Sequence, residues 1–332
     1  MNSKQLVMDT SVGLLSGVMR VVSAISTATL LFPLGLSKYF LTGVTIGVIT
    51  VIVPSLIGGW RNSIPYITWS RDYTPIFLFS LVGAALARQV PESQFESTMI
   101  AFIMATTVTT GATFYLVGRF RLSNLARFVP FPVVAGFMGG IALLIIIQAL
   151  GTLAGVALTP SNLSLFIIPD TAAHWIPGVV FALVMMFGGK LVRTGFYRQI
   201  VILVTIAIFL GILQATHTSI HDAYLNGWSE RSVDGRLPFS LYAITAWDSD
   251  TLFQLVPHFN ILLTIVAVSL LSILMTLAGL EVATRREMVF ERELEDAGIA
   301  NAVCGLLGGS ISYQHVANSM MNYKMGGRGR LV

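Results

Sequence analysis

The sequence predicts an all-α membrane protein with an inverted-repeat transporter fold, and three observations carry that expectation. Of 332 residues, 55% are hydrophobic and only 11% are charged, with a mean hydropathy of +0.78; soluble domains carry roughly 25% charged residues. Apolar runs long enough to span a bilayer recur along the chain. Two further runs are short and are interrupted by charged, polar or glycine residues at corresponding places, as in carriers built from repeats with discontinuous helices. The net charge of +4 does not indicate nucleic acid as a partner, because the positive residues stand singly between apolar runs instead of forming a patch. Cys304 is the single cysteine and lies in an apolar stretch, so it offers neither a disulfide nor a metal cluster and reads as a buried thiol. The first apolar run shows no distinct small-residue cleavage site and is expected to remain in the chain.

Taken in order, membrane segments are expected at about 11–33, 39–58, 74–87, 98–118, 129–156, 176–190, 199–215, 256–280 and 296–308, with a tenth, short and polar, after Gly309. Segment three is anomalous. Arg71 and Asp72 stand directly before an apolar run of about 14 residues, whereas roughly 20 are needed to cross. It reads as a half-helix whose N-terminus lies at mid-membrane, where free N–H groups and the helix dipole can hold a charged or polar ligand. Segment ten, from Gly308 to Asn322, is flanked by glycines and carries Gln314, His315, Asn318 and Ser319 at helical spacing, so it reads as a second half-helix. Residues 1–216 then form a first repeat of seven segments, 217–257 an extracytoplasmic loop, and 258–332 the start of a second repeat. The chain is expected to be a fragment, truncated after segment ten, because a bilayer does not tolerate the unpaired faces of an incomplete repeat. With the N-terminus cytoplasmic, most Lys and Arg residues fall inside, Lys38, Arg88, Arg231 and Arg236 fall outside, and Arg20 and Arg71 sit at membrane depth.

Candidate substrate ligands follow from the half-helices: Ser70, Asp72, Tyr73 and Thr74 at segment three, Gln314, His315, Asn318 and Ser319 at segment ten, and the hydroxyls of Ser26 and Thr27 in segment one. Asp72 is either a ligand or proton-coupling group, since ionisable residues at membrane depth are costly and commonly functional, or a helix N-cap or the local partner of Arg71. Glu281, at the inner end of segment eight, is either a coupling residue or interfacial beside Arg285 and Arg286. Arg20 is either a buried cation paired with Asp72 or Glu281 or part of the cavity. His315 either binds protons or hydrogen-bonds within the bundle, and Ser23, Ser26 and Thr27 serve equally well as packing glue. No P-loop, nucleophile elbow, paired-carboxylate or metal spacing is present, so neither an enzyme nor a cofactor is expected.

The run from Glu293 to Arg330 resembles the sulfate permease (SulP) family. It contains E-L-x-x-x-G-x-x-N-x-x-x-G-L-x-G-G, as Glu293, Leu294, Gly298, Asn301, Gly305, Leu306, Gly308 and Gly309, followed by N-x-x-x-G-G-R-x-R, as Asn322, Gly326, Gly327, Arg328 and Arg330. Weaker matches run from Asp9 to Gly17 and from Pro130 to Leu150. The resemblance implies a seven-plus-seven inverted repeat in which segments one to four and eight to eleven move against the remainder, with substrate between half-helices three and ten. Substrates in the family are sulfate, bicarbonate, chloride or dicarboxylates, and most members append a STAS domain. Two departures bear on substrate. The start of segment three is acidic at Asp72 where similar proteins are small and uncharged, and Asn318 stands where anion carriers often have arginine. Together with Gly279, Leu280, Glu281, Ala283 and Thr284, the acidic position resembles a branch that often carries a cyclic-nucleotide-binding-like domain and includes carriers proposed to move basic amino acids. The expected function is secondary active transport of a small anion by alternating access. The alternatives are a proton-coupled carrier of cationic or zwitterionic amino acids using Asp72 and Glu281, and a non-transporting scaffold or sensor. Expected partners are an ion or small molecule, the lipid bilayer and a second copy in a homodimer, in a bacterial inner membrane.

Overall fold

The structure is a computed structural model that describes residues 3–122, 131–192, 195–228 and 253–330. Ten helices carry the fold: α1 (Ser3–Leu31), α2 (Phe40–Arg61), α3 (Tyr73–Gln89), α4 (Glu92–Arg119), α5 (Phe131–Ala154), α6 (Pro169–Leu191), α7 (Tyr197–Ala215), α8 (Phe259–Thr284), α9 (Phe290–Leu306) and α10 (Val316–Lys324). Seven helical spans among the described residues are long and apolar enough to cross a membrane; the protein is an integral, multi-pass membrane protein. All ten expected segments are present, several longer than their apolar runs. α1, α6 and α9 begin before their apolar runs, at Ser3, Pro169 and Phe290.

The expectation of two half-helices needs one refinement. Each is preceded by a short extended segment, β1 (Trp69–Arg71) and β2 (Ser312–Gln314), and the two pair antiparallel with Trp69 opposite Gln314, Ser70 opposite Tyr313 and Arg71 opposite Ser312. Gln314 therefore lies in a strand and not on the helix, which starts only at Val316. A spacing of polar residues that suits a helical face also suits a strand followed by a cap, and three-residue strands are too short to show a two-residue period. The expected loop at 217–257 opens with a short helix, Ile220–Leu225. Arg127, Arg193, Arg231 and Arg236 lie outside the described residues, as does Pro130.

Packing divides the molecule in two. Helices α1 to α4, α8 and α9 enclose a common core that includes Phe79, Phe95, Phe102, Ile265, Leu277 and Leu294. Helices α5 to α7 bury little against the rest, and their apolar faces are left for lipid. The tightest seam joins α4 to α9. A Cβ added at Gly298 would fall 2.5 Å from the Tyr115 amide nitrogen, and one at Gly111 would fall 2.6 Å from that of Ala302. Small residues at such a seam let two backbones meet where no hydrophobic effect drives helices together. The end of the described chain folds back: the Arg328 amide donates to Asp9 Oδ1 at 2.8 Å, and the Arg330 guanidinium donates to the carbonyls of Gly59, Trp60 and Asn62 at the end of α2.

Replacing Gly298 by alanine forces backbone separation along this seam, and overpacking of this kind costs about 1–3 kcal/mol. Thermal unfolding in detergent is expected to show that loss for Gly298→Ala, while Gly136→Ala, with open space around its added methyl, melts with the wild type.

Candidate functional site

The β1–β2 ribbon sets the geometry of the site. Beyond the paired residues, the Asp72 amide donates to the Ile311 carbonyl at 3.1 Å and the His315 amide to the Thr68 carbonyl at 2.9 Å. Side chains brace both strands. Asn301 of α9 accepts from the Ser312 amide at 2.8 Å and donates to the Ser312 carbonyl at 2.7 Å. Buried Glu293 accepts from Gln314 Nε2 at 2.8 Å and from the Ser63 amide at 3.2 Å, and Trp69 Nε1 donates to Asn62 Oδ1 at 2.9 Å. The two half-helices then leave opposite ends of the ribbon, α3 toward one membrane face and α10 toward the face that carries the α1 N-terminus.

Both half-helix N-termini are capped from within. Asp72 Oδ1 accepts from the Thr74 amide at 3.0 Å, and His315 Nδ1 accepts from the Asn318 amide at 3.3 Å. Pro75 has no amide to offer a ligand. The free N–H groups expected to hold an anion at α3 are thus partly occupied and partly absent. Asp72 is buried, with its carboxyl beside the Tyr313 hydroxyl, which also faces Ser272 on α8. His315 accepts through Nδ1, which in a neutral ring places the proton on Nε2.

A cavity of 150 Å³ lies where α1, the β1 strand, α6, α7 and α10 converge. Three arginines line it, Arg20, Arg71 and Arg198, together with Ser16, Ser23, Thr68, Ser70, Asn318 and Asn322; no carboxylate does. Arg71 is buried; its guanidinium donates to the Ser23 carbonyl and lies 5.8 Å from the centre of the Tyr73 ring. Arg20 Nη1 donates to Ser55 Oγ at 2.7 Å. This corrects the expected pairing of Arg20 with Asp72 or Glu281. The two ion pairs found among the described residues are Lys38–Glu92 and Arg61–Asp296, so Arg71 and Asp72 do not pair either. Three buried polar atoms of cavity-lining residues lack a protein partner: Arg71 Nε, Asn322 Nδ2 and Thr68 Oγ1. All three can donate.

Of the ten expected substrate ligands, Ser70 and Asn318 reach this cavity, and Ser23, also singled out in the sequence, lines it with them. Ser26 and Tyr73 line a separate cavity of 410 Å³ toward the opposite face. Thr27 is buried and donates to the Ser23 carbonyl at 3.0 Å, Thr74 Oγ1 faces Met138 Sδ at 4.0 Å, and Ser319 Oγ donates to the His315 carbonyl at 2.7 Å while accepting from the Thr68 amide. Gln314 is held by Glu293, and Glu281, in the last turns of α8, does not reach the cavity. Arg20 and Arg71 were already conspicuous as the two cations at membrane depth. Arg198 carried no such signal, since its role depends on where the start of α7 packs.

The sequence profile of the sulfate permease family matches residues 7–332. The chain belongs to that family. It is 24% identical over 335 residues to the vacuolar basic amino acid transporter VSB1 of Saccharomyces cerevisiae, covering 93% of this chain and 31% of that protein. It is 25% identical over 238 residues to YbaR, a candidate sulfate transporter of Bacillus subtilis, covering 70% and 43% respectively. The chain thus spans less than half the length of either relative. The solved transmembrane domain of a cyanobacterium bicarbonate transporter, BicA, has a TM-score of 0.65 at 17% identity, over 100% of this chain and 79% of that one; this likeness is one of fold.

The capping role of Asp72 has a measurable consequence. Asn caps as well as Asp, and replacing a good cap by alanine costs about 1 kcal/mol. Asp72→Asn is expected to melt near the wild type and Asp72→Ala measurably lower. Equal losses in both would identify the negative charge, not the cap bond, as the feature that matters.

Proposed function

We propose that this protein is a secondary active transporter that carries small anions by alternating access, and that the cavity of Arg20, Arg71 and Arg198 is its substrate site. The observation that carries this reading is the lining: three guanidiniums, three buried donor-capable atoms without partners, and no acid. Charges a few ångströms apart in a site shielded from water interact strongly, so the cavity attracts an anion and repels a cation. The planar guanidinium fork matches two oxygens of one ligand and cannot do so with a single spherical ion. The preferred cargo is therefore an oxyanion, sulfate, bicarbonate or a dicarboxylate, in preference to chloride. Family membership and the names of YbaR and BicA support the same class.

The name of the yeast relative, together with Asp72, favours a second reading, a proton-coupled carrier of basic amino acids. Against it stands the geometry, since Asp72 is engaged as a cap and turned from the cavity while three cations line it.

Uptake of labelled sulfate and labelled arginine by the full-length protein in liposomes, with and without a proton gradient, separates these readings. Sulfate uptake is expected. Arg71→Gln should lower its kcat/KM by about 10–100-fold, the worth of one hydrogen bond to a charged group, while Asp72→Asn retains it. Arginine uptake that is lost in Asp72→Asn would establish the second reading. Absence of flux for both solutes would favour a scaffold or sensor.

A further inference from the structure

At the face opposite the α1 N-terminus, His174 in the second turn of α6 makes two contacts of one kind. Its Nδ1 lies 2.7 Å from the Asp170 carbonyl oxygen, and its Nε2 lies 3.0 Å from the Asn226 carbonyl oxygen. Both partners are acceptors only. A neutral imidazole carries one N–H and satisfies one of them; the imidazolium carries two and satisfies both. The Asp170 carbonyl belongs to the same helix, four residues back, and stays in reach whatever the rest of the molecule does. The Asn226 carbonyl belongs to a strap, Ile220–Leu225 with the turn that follows, closed by the bonds from the Asn226 amide to the Asp222 carbonyl at 2.9 Å and from the Trp228 amide to the Ala223 carbonyl at 2.8 Å. Trp228 packs its ring 4.6 Å from that of His174.

The strap covers two cavities. One, of 680 Å³, is lined by Pro33, Lys38, Thr152, His174 and Asn226. The other, of 410 Å³, is lined by His174, Gly227 and Trp228 and runs down to Ser26 and Tyr73. The Tyr73 hydroxyl is 3.2 Å from Ser23 Oγ, and Ser23 lines the arginine cavity. One layer of side chains separates the two. The 410 Å³ cavity thus extends from under the strap to the Tyr73–Ser23 layer that borders the arginine cavity.

We propose that His174 is a proton-operated latch on the strap. As the imidazolium it ties the strap to α6. On deprotonation the remaining proton stays with the nearer, intrahelical Asp170 carbonyl, the Asn226 carbonyl is left facing a ring lone pair, and the strap is released. The charged neighbours are Lys38, whose ammonium is engaged by Glu92, the Asp170 side chain one turn earlier on α6, and His221 and Asp222 on the strap helix, Asp222 being held by the Ser219 amide and hydroxyl. Release accordingly follows loss of the second ring proton as pH rises. The latch stands on geometry alone; its effect on flux rests on the anion reading.

The test uses the full-length protein in liposomes. The signal of Trp228 is isolated as the difference between the wild type and Trp228→Phe, since imidazolium in contact quenches indole. Between pH 5 and 8, Trp228 emission and its access to acrylamide are expected to rise severalfold in the wild type and to be independent of pH in His174→Ala and His174→Gln. Sulfate, whose charge is constant over this range, should enter from this face severalfold faster at pH 8 than at pH 5, and at a constant rate in His174→Ala. A wild-type Trp228 signal without a pH step, or a step that survives in both variants, overturns the latch. A step without sulfate flux at any pH keeps the latch and overturns the anion reading.

Discussion

The structure depends on backbone hydrogen bonding at mid-membrane. A chain that unwinds inside a bilayer exposes amides and carbonyls that no water can satisfy, and such segments persist only when buried in protein. Here two unwound segments satisfy each other, β1 against β2, and the flanking bonds from Asp72 and His315 extend the pairing to the first residues of both half-helices. This requirement also explains the residues that identify the family. Glu293 and Asn301 are motif positions because they brace the outer edge of the ribbon, and Gly298 is one because α9 must lie against α4 closely enough for that bracing to reach.

The acids near the ribbon are engaged outside the arginine cavity: Glu293 is bonded to Gln314 and Ser63, Asp296 takes Arg61, and Asp72 caps α3 beside Tyr313. Arg20, Arg71 and Arg198 line the cavity. Since the helix termini are largely closed by their own caps, the positive potential of the site comes from side chains and not from helix dipoles. That resolves the apparent conflict in the sequence, where a carboxylate occupies the start of a half-helix in a family named for an anion. Asn318 in place of a cation at α10 is offset by Arg71 on the facing strand, two residues before the corresponding cap plus one.

Much of this was legible in the sequence. The segments and the two interruptions follow from hydropathy, because the bilayer imposes length rules on every span. The arginine cavity was legible in part. Ser70 and Asn318, singled out by their position at the interruptions, line it, whereas Asp72 and Gln314 turn to the Thr74 amide and to Glu293, because which way a side chain turns at a strand-to-helix junction depends on the partner strand. Arg20 and Arg71 stood out by the cost of burying them; of the two readings open for Arg20, a buried ion pair or a place in the cavity, the structure shows the second, with Arg20 donating to Ser55 and Arg71 donating to the Ser23 and Arg20 carbonyls. Arg198 was illegible, since sequence does not report how the loosely packed α5 to α7 layer sits against α10.

Three consecutive residues illustrate how much is set by that junction. Arg71 ends β1, Asp72 caps the helix and Tyr73 begins α3. Arg71 lines the cavity with Thr68 and Ser70, while the Asp72 carboxyl turns to the Thr74 amide and lies beside Tyr313. The turn into the helix then swings Tyr73 back toward α1, where its hydroxyl meets Ser23 and its ring lies by the Arg71 guanidinium. A cavity-lining cation, a helix cap and part of the side-chain layer between the two cavities thus come from three consecutive residues of one strand-to-helix junction.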